Sequence, residues 1–433
     1  MKRNDTHISE TVYATVCFAI SVLFVFYKYV LEVSPSIMVG RLMEEFRTDG
    51  FVIGHIAAAY YYAYTVMQIP GGLLVDAFGS RRIAALGILL CAIGSLLFGM
   101  GDKVATLAFA RFITGIGATF AILNTFKVIA DRFSESRFAL FAGLTMTLGT
   151  LGAVFGQAPL SRLIRAVGWR HSFKITALFG ILLAGLFFIV IRDLPSLSRS
   201  GLRHHTGFLK TSLMHILRRK ETWILSLYSG LAFAPVASFA GLWGVTFIER
   251  KYGFTKSKSA FLASLVFVGF AIGAPLLGYY SSRIGKRKPV MVWGTTIALI
   301  TLTLSIYLPP ASFSSYGALQ YGALQLLFGI SVSAFLLSFS VIHEINIPLM
   351  TATAVAVMNT SNALFNSLTD PLVGWLLDLG GTARTTTSVL SFSLSDYHFA
   401  FALFPLYMVG CLVLLVFTEE TYCRQKHLPD ADG

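Results

Sequence analysis

The stretch Gly72-Leu73-Leu74-Val75-Asp76-Ala77-Phe78-Gly79-Ser80-Arg81-Arg82 follows the second long apolar run of this 433-residue chain. A second stretch, Gly278-Tyr279-Tyr280-Ser281-Ser282-Arg283-Ile284-Gly285-Lys286-Arg287-Lys288, follows the eighth. Each has a glycine, a polar residue four places on, a glycine three places after that, and then basic residues. Gly278 lies 206 residues beyond Gly72, almost half the chain. One loop recurring at the same place in two sets of apolar runs implies internal duplication.

The runs themselves set the fold class. A helix needs about 20 mainly apolar residues to cross a bilayer. Twelve such runs are predicted, near 12–38, 51–75, 83–101, 104–131, 137–160, 170–192, 222–248, 258–282, 289–309, 317–343, 348–377 and 397–418. The expected architecture is an all-α membrane protein: twelve transmembrane helices in two pseudo-symmetric six-helix bundles. Residues 1–192 and 222–418 form the bundles, 193–221 a basic cytoplasmic linker, and 419–433 a cytoplasmic tail.

Composition agrees. Hydrophobic residues make up 55% of the chain and charged ones only 13%, against about a quarter charged in soluble domains. Such a chain needs lipid as its solvent. The net charge of +13 would suggest nucleic acid in a soluble protein. Here the basic residues sit in short loops between apolar runs, so they report topology instead, and no nucleic-acid partner is expected. With both termini cytoplasmic, the inner loops hold 19 Lys and Arg and the outer loops 12, the bias expected of a plasma membrane protein. A bacterial inner membrane is the expected location. Cys17, Cys91 and Cys411 lie within apolar runs and Cys423 in the tail; none has metal-ligand spacing. No catalytic, nucleotide or metal signature is present, so neither an enzyme nor a cofactor is expected.

The paired loops resemble the signature G-x-x-x-D-x-x-G-x-R-R of the major facilitator superfamily. Arg111-Phe-Ile-Thr-Gly115-Ile-Gly117 in the fourth run and Gly168-Trp169-Arg170 before the sixth are further points of similarity. The resemblance covers the whole chain and implies a secondary transporter that works by alternating access, as a monomer. It also implies gating roles for Gly72, Asp76, Gly79, Arg81 and Arg82, with Asp131 as the acid that Arg81 or Arg82 reaches, and for Gly278, Gly285 and Arg287. The second loop departs from the pattern, with Ser282 where an acid would stand.

Charge within a span is costly and marks candidate function. Lys28 and Glu32 are four apart in the first run, hence on one helix face, and Pro35 follows. Arg111 lies about seven residues from the end of its span, roughly 10 Å, at a depth similar to that of Glu32. Two readings stay open. In one, Lys28 or Arg111 engages an anionic solute and Glu32 accepts a proton. In the other, Lys28 merely pairs with Glu32, and Arg111 bonds a neighbouring helix's backbone. The Tyr27-Lys28 stretch also loosely resembles the first span of organic-anion and organophosphate members, which implies an anionic solute.

Other polar stripes add candidates for substrate contact. Tyr60, Tyr64 and Gln68 recur at helical spacing in the second run, with Tyr61 beside them; Tyr61 and Tyr64 are the candidates there. In the eleventh run Asn359, Asn362, Asn366 and Asp370 share a face that Pro371 is expected to end, with Asp370 a second candidate proton carrier. Trp243 is a cavity candidate in the seventh. Each stripe could equally serve packing between helices. The expected function is proton-coupled uptake of a small anionic or zwitterionic metabolite. Efflux of drugs or metabolites and solute sensing without transport are the alternatives.

Overall fold

The computed structural model describes residues 2–133, 135–192, 214, 216–309, 317–346, 348–380 and 392–424. The linker expected over 193–221 falls largely outside them. Among the described residues the chain is helical and has no strand. Nine stretches there are long and apolar enough to cross a membrane. The runs expected at 51–75, 137–160 and 348–377 are also long helices, Gly50–Phe78, Glu135–Phe155 and Pro348–Gly380.

The chain groups into two units. One gathers Met1–Ser34 and Ala59–Ser200, the other Pro35–Ala58 and Gly201–Gly433. The first contains α1 (Lys2–Val33), most of α3 (Gly50–Phe78), α4 (Ser80–Met100), α5 (Val104–Arg132), α6 (Glu135–Phe155), α7 (Ala158–Val167) and α8 (Trp169–Val190). Short α2 (Val39–Phe46) and the start of α3 belong to the second unit.

In the first unit α1 is seated by α5 and α6. Three glycines face it, Gly149 and Gly152 of α6 and Gly156 just after its end. A Cβ on Gly152 would run into the Phe26 carbonyl, one on Gly149 would press on Val25, and one on Gly156 on Val30. These small residues let the two backbones approach closely. The regular helix stops at Val33 and tightens into a 3-10 turn over Ser34–Ile37, where Pro35 has no N–H to give the carbonyl of Leu31. Tyr27 points away from this break and donates to the Thr176 carbonyl of α8 at 2.9 Å.

The second unit continues with α9 (Lys220–Pro235), a wide π-helical stretch (Val236–Trp243) and α10 (Gly244–Tyr252). Then come α11 (Lys256–Ile284), α12 (Lys288–Tyr307), α13 (Gly317–Val332), α14 (Leu337–Ile345), α15 (Pro348–Gly380), α16 (Leu394–Phe401) and α17 (Leu403–Val416). Pro371 does not end its run as the sequence suggests: α15 passes through it to Gly380. Within this unit the first turn of α3 is held by two acids. Asp49 Oδ1 accepts from Val52 N, and the Asp378 carboxylate accepts from Gly50 N and Phe51 N at 2.9 and 2.7 Å. They satisfy donors that a helix start leaves without intrahelical partners. Lys251 does the converse for α12, giving its ammonium to the Ser305 and Ile306 carbonyls.

The repeated loops explain one of their two glycines. Gly79 and Gly285 have φ of +84° and +66°, a region that side-chain-bearing residues disfavour. Gly72 and Gly278 lie within helices, and a Cβ on either would meet nothing within 4 Å among the described residues.

Candidate functional site

In the first unit the structure brings together the charged residues of α1 and the tyrosines of α3. Lys28 and Glu32, both buried, form an ion pair one helical turn apart. The carboxylate also accepts from two phenols: Tyr60 OH on Oε2 at 3.2 Å and Tyr61 OH on Oε1 at 3.0 Å. The ammonium sits over the ring of Tyr29 at 3.8 Å and that of Tyr64 at 5.4 Å, within the range of cation–π attraction. Tyr60 stacks on Tyr64 with centroids 6.0 Å apart and meets Tyr61 edge-on at 5.1 Å. The result is one cation and one anion in an aromatic wall, each with several partners. A pair in such surroundings is strongly destabilised by losing one member, because the other is left buried without compensation.

Arg111 approaches from α5 and binds the backbone of α1. Its Nη1 donates to the Leu31 carbonyl at 2.6 Å and its Nη2 to the Glu32 carbonyl at 3.1 Å. Leu31 is the residue whose carbonyl Pro35 cannot serve, and Ser34 Oγ donates to it as well, at 2.9 Å. The guanidinium thus fastens α5 to the point where α1 changes pitch. Its Cζ lies 4.9 Å from the Tyr60 ring centroid, so Arg111 borders the same cluster.

The candidates of the second unit are neutral but for one acid. Asn366 and Asp370 are buried, Asn359 and Asn362 half-buried, all on α15. The Oδ1 atoms of Asn362 and Asn366 have no hydrogen-bond partner among the described residues. Trp243, fully buried at the end of the π-helical stretch, leaves its Nε1 likewise unpartnered and packs its ring 6.4 Å from Phe392. Wide helical turns of this kind recur at functional sites. Ser361 of α15 ties back to α9 through the Ser226 carbonyl at 2.8 Å.

The gating candidates divide by loop. In the first, Arg81 Nε donates to the Phe188 carbonyl near the end of α8 at 2.7 Å, and its guanidinium stacks on the Phe188 ring at 4.2 Å. Arg82 and Asp131 are exposed. The side chain of Asp76 falls outside the described residues. In the second loop, Arg287 pairs with Glu344 through Nε and Nη2 at 3.1 and 2.8 Å.

Sequence reasoning missed Glu344, although it ends the tenth run as Asp131 ends the fourth, and it missed Glu420 and Asp378. It saw Tyr60 only as part of a stripe. The joint hold of Tyr60 and Tyr61 on one carboxylate had no signal in the spacing.

With this geometry in view, comparison with known proteins gives a consistent result. The family model for the Major Facilitator Superfamily matches residues 11–369. The probable sulfoacetate transporter SauU of Cupriavidus necator is 22% identical, over 83% of this chain and 86% of its own. Multidrug resistance protein 2 of Bacillus subtilis is 22% identical over 69% of this chain and 74% of its own. The probable L-galactonate transporter of Escherichia coli K12 is 21% identical over 81% and 80%. Among solved structures, an inward-facing, unoccupied bacterial homolog of the human lysosomal transporter Spinster is similar in fold, with a TM-score of 0.71, 17% identity, and coverage of 94% of this chain and 95% of that one. With the family model spanning most of the sequence and the fold in agreement, the chain belongs to the major facilitator superfamily and is a multi-pass membrane transporter rather than an enzyme.

Proposed function

We propose that this protein carries a small organic anion inward with a proton, by alternating access, across a bacterial inner membrane. It does so as a monomer of twelve spans in two six-helix halves, 1–192 and 222–418, joined by the linker 193–221, with both termini cytoplasmic. The observation that carries the reading is the buried Lys28–Glu32 pair with its two phenol donors. A carboxylate or sulfonate arriving at Lys28 competes with Glu32 for the ammonium. Glu32 then keeps Tyr60 and Tyr61 but loses its counter-cation, and taking up a proton removes an unpaired buried charge. Solute and proton thus enter together, and release of the solute returns Lys28 to Glu32 and expels the proton.

In this scheme Arg111 holds the Pro35 break of α1, and through it the position of Glu32. Tyr64 and Tyr61 wall the solute. Within the second unit, Trp243, Asn359, Asn362 and Asn366 are proposed as neutral substrate contacts and Asp370 as a second proton carrier. Gly72, Asp76, Gly79, Arg81, Arg82 and Asp131 in one loop, and Gly278, Gly285 and Arg287 in the other, govern closure at the inner side. The similarity to relatives named for sulfoacetate and L-galactonate supports an anionic solute.

The direct test is uptake into proteoliposomes of labelled sulfoacetate and L-galactonate, then of a panel of carboxylates, with and without an imposed inward proton gradient. Gradient-dependent accumulation of an anion is the expected result. Folded protein that moves none of the panel under either condition overturns the uptake reading. Export is the second reading, favoured by similarity to a multidrug resistance protein. It would appear in the same vesicles as gradient-driven extrusion of apolar cations such as ethidium.

A further inference from the structure

The two copies of the repeated loop differ at one telling place: Asp76 in the first is matched by Ser282 in the second. The second copy has no acid between its glycines, yet an acid sits on the start of the helix that follows. Glu420 Oε1 accepts from Arg287 N at 2.8 Å and Oε2 from Lys288 N at 2.9 Å. These amides belong to the cap and first position of α12, where donors lack intrahelical acceptors and the helix dipole favours negative charge.

The acid is held in place from its own side as well. Its Oε1 also accepts from Thr421 N and Tyr422 N, each at 3.0 Å. Thr421 Oγ1 donates to Glu344 Oε2 at 2.5 Å, so the residue after Glu420 grips the acid that pairs with Arg287. Lys288 Nζ reaches the Val416 carbonyl at 3.1 Å. Arg287 Nη1 completes the network on Ser281 Oγ and Ser282 Oγ at 3.1 and 3.2 Å. Beyond α17 the chain turns through two successive residues in the left-handed region, Tyr422 at φ +54° and Cys423 at φ +55°. Side-chain-bearing residues disfavour that conformation, and two in a row mark a segment fixed by its contacts.

We propose that Glu420 is the acid missing from the second loop: the C-terminal segment Glu419–Arg424 folds back as a strap and delivers, from elsewhere in the chain, the carboxylate that the first copy carries at Asp76. The strap caps α12, steadies Arg287 on Glu344, and joins the ends of α11, α12, α14 and α17 into one piece. Glu420 is a positioning residue for that assembly, whichever solute is carried.

Cys423 reports on the strap. Its Sγ lies 3.7 Å from the Ser281 carbonyl, and the other three cysteines are buried. The experiment uses the full-length protein in lipid nanodiscs, and measures Cys423 modification by a charged maleimide, with Cys423→Ser as the blank, alongside the thermal unfolding midpoint. Glu420→Gln is expected to speed labelling roughly tenfold, through the loss of charge-assisted hydrogen bonds, and to lower the midpoint. Adding Ser282→Asp to Glu420→Gln places a carboxylate within reach of Arg287. That double variant should recover the midpoint while labelling stays fast, because the loop again has an acid but the strap is free. Wild-type labelling in Glu420→Gln, an unchanged midpoint, or a midpoint that Ser282→Asp does not restore overturns the proposal.

Discussion

The first unit buries a cation against an anion in an aromatic wall; the second offers amides and an indole over the same kind of helical surface. Lys28 and Glu32 are each satisfied several times over, whereas Asn362 Oδ1, Asn366 Oδ1 and Trp243 Nε1 are buried with no partner among the described residues. The contrast separates two tasks. A fully compensated ion pair stores a choice of partner: whatever displaces one member changes the charge state of the other. Unpartnered neutral groups store no such choice. They can only add hydrogen bonds to what arrives, so they can tune affinity and selectivity without moving protons.

The largest effect should come from removing the cation. Lys28→Met leaves no ammonium for an anion to compete for and is expected to lower anion uptake by about 100-fold or more, in line with the loss of one member of a buried pair. Lys28→Arg should retain part of the activity, since charge is kept while shape is not. Near-normal uptake by Lys28→Met, with protein level unchanged, would place the solute site elsewhere.

Next in size is the fastening of α1. Arg111→Lys keeps a charge but loses the fork that spans the Leu31 and Glu32 carbonyls. A hydrogen bond from a charged donor contributes about 1.5–3 kcal/mol, so the unfolding midpoint should fall by several degrees and uptake by about tenfold. A midpoint equal to wild type would show that the carbonyls freed at Pro35 find other donors.

A smaller effect is expected in the second unit. Asn366→Ala removes one neutral amide worth about 1 kcal/mol, raising KM about fivefold with proton coupling intact. If that variant instead uncoupled transport from the gradient, the division of tasks between the ion pair and the neutral groups would be wrong.

The smallest effect concerns pH at the tail. Burial raises the thiol of Cys423 above its ordinary range, so at a given pH the docked strap holds less of the reactive thiolate. The pH midpoint for maleimide modification should lie higher in the wild type than in Glu420→Gln, where the thiol is freed. Coincident midpoints would mean that the thiol's surroundings do not depend on Glu420.

How much of this was legible in the sequence follows from what spacing can encode. The loops at Gly72 and Gly278 announced the family because glycines with positive φ and basic residues at helix ends are local requirements, met by Gly79 and Gly285. Lys28 and Glu32 stood out because charge in an apolar run is costly wherever it falls. Tyr60 and Tyr61 were different. Neighbours on a helix point about 100° apart, so the stripe at 60, 64 and 68 set Tyr60 and Tyr61 on different faces, with Tyr61 and Tyr64 the candidates, whereas in the structure Tyr60 and Tyr61 both donate to Glu32. Arg111 was visible as a buried charge, and bonding to a neighbouring helix's backbone was one of its two readings; that reading is what the structure shows, but which carbonyls it takes, 80 and 79 residues away, spacing could not say. Glu420 and Asp378 act across 133 and 328 residues on helix-start amides, which carry no side-chain signature at all. Continuation of α15 through Pro371 is the reverse case: a local rule was read, and the helix runs past it to Gly380.

Glu32→Gln in proteoliposomes, with anion exchange and gradient-driven accumulation measured side by side, tests the central claim most directly. Lys28 remains to bind the anion, but the amide cannot take up the proton. The expected result is exchange of internal for external anion within a few fold of wild type, with accumulation under an imposed proton gradient abolished. Accumulation that survives intact would contradict the proposal and remove Glu32 as the coupling acid.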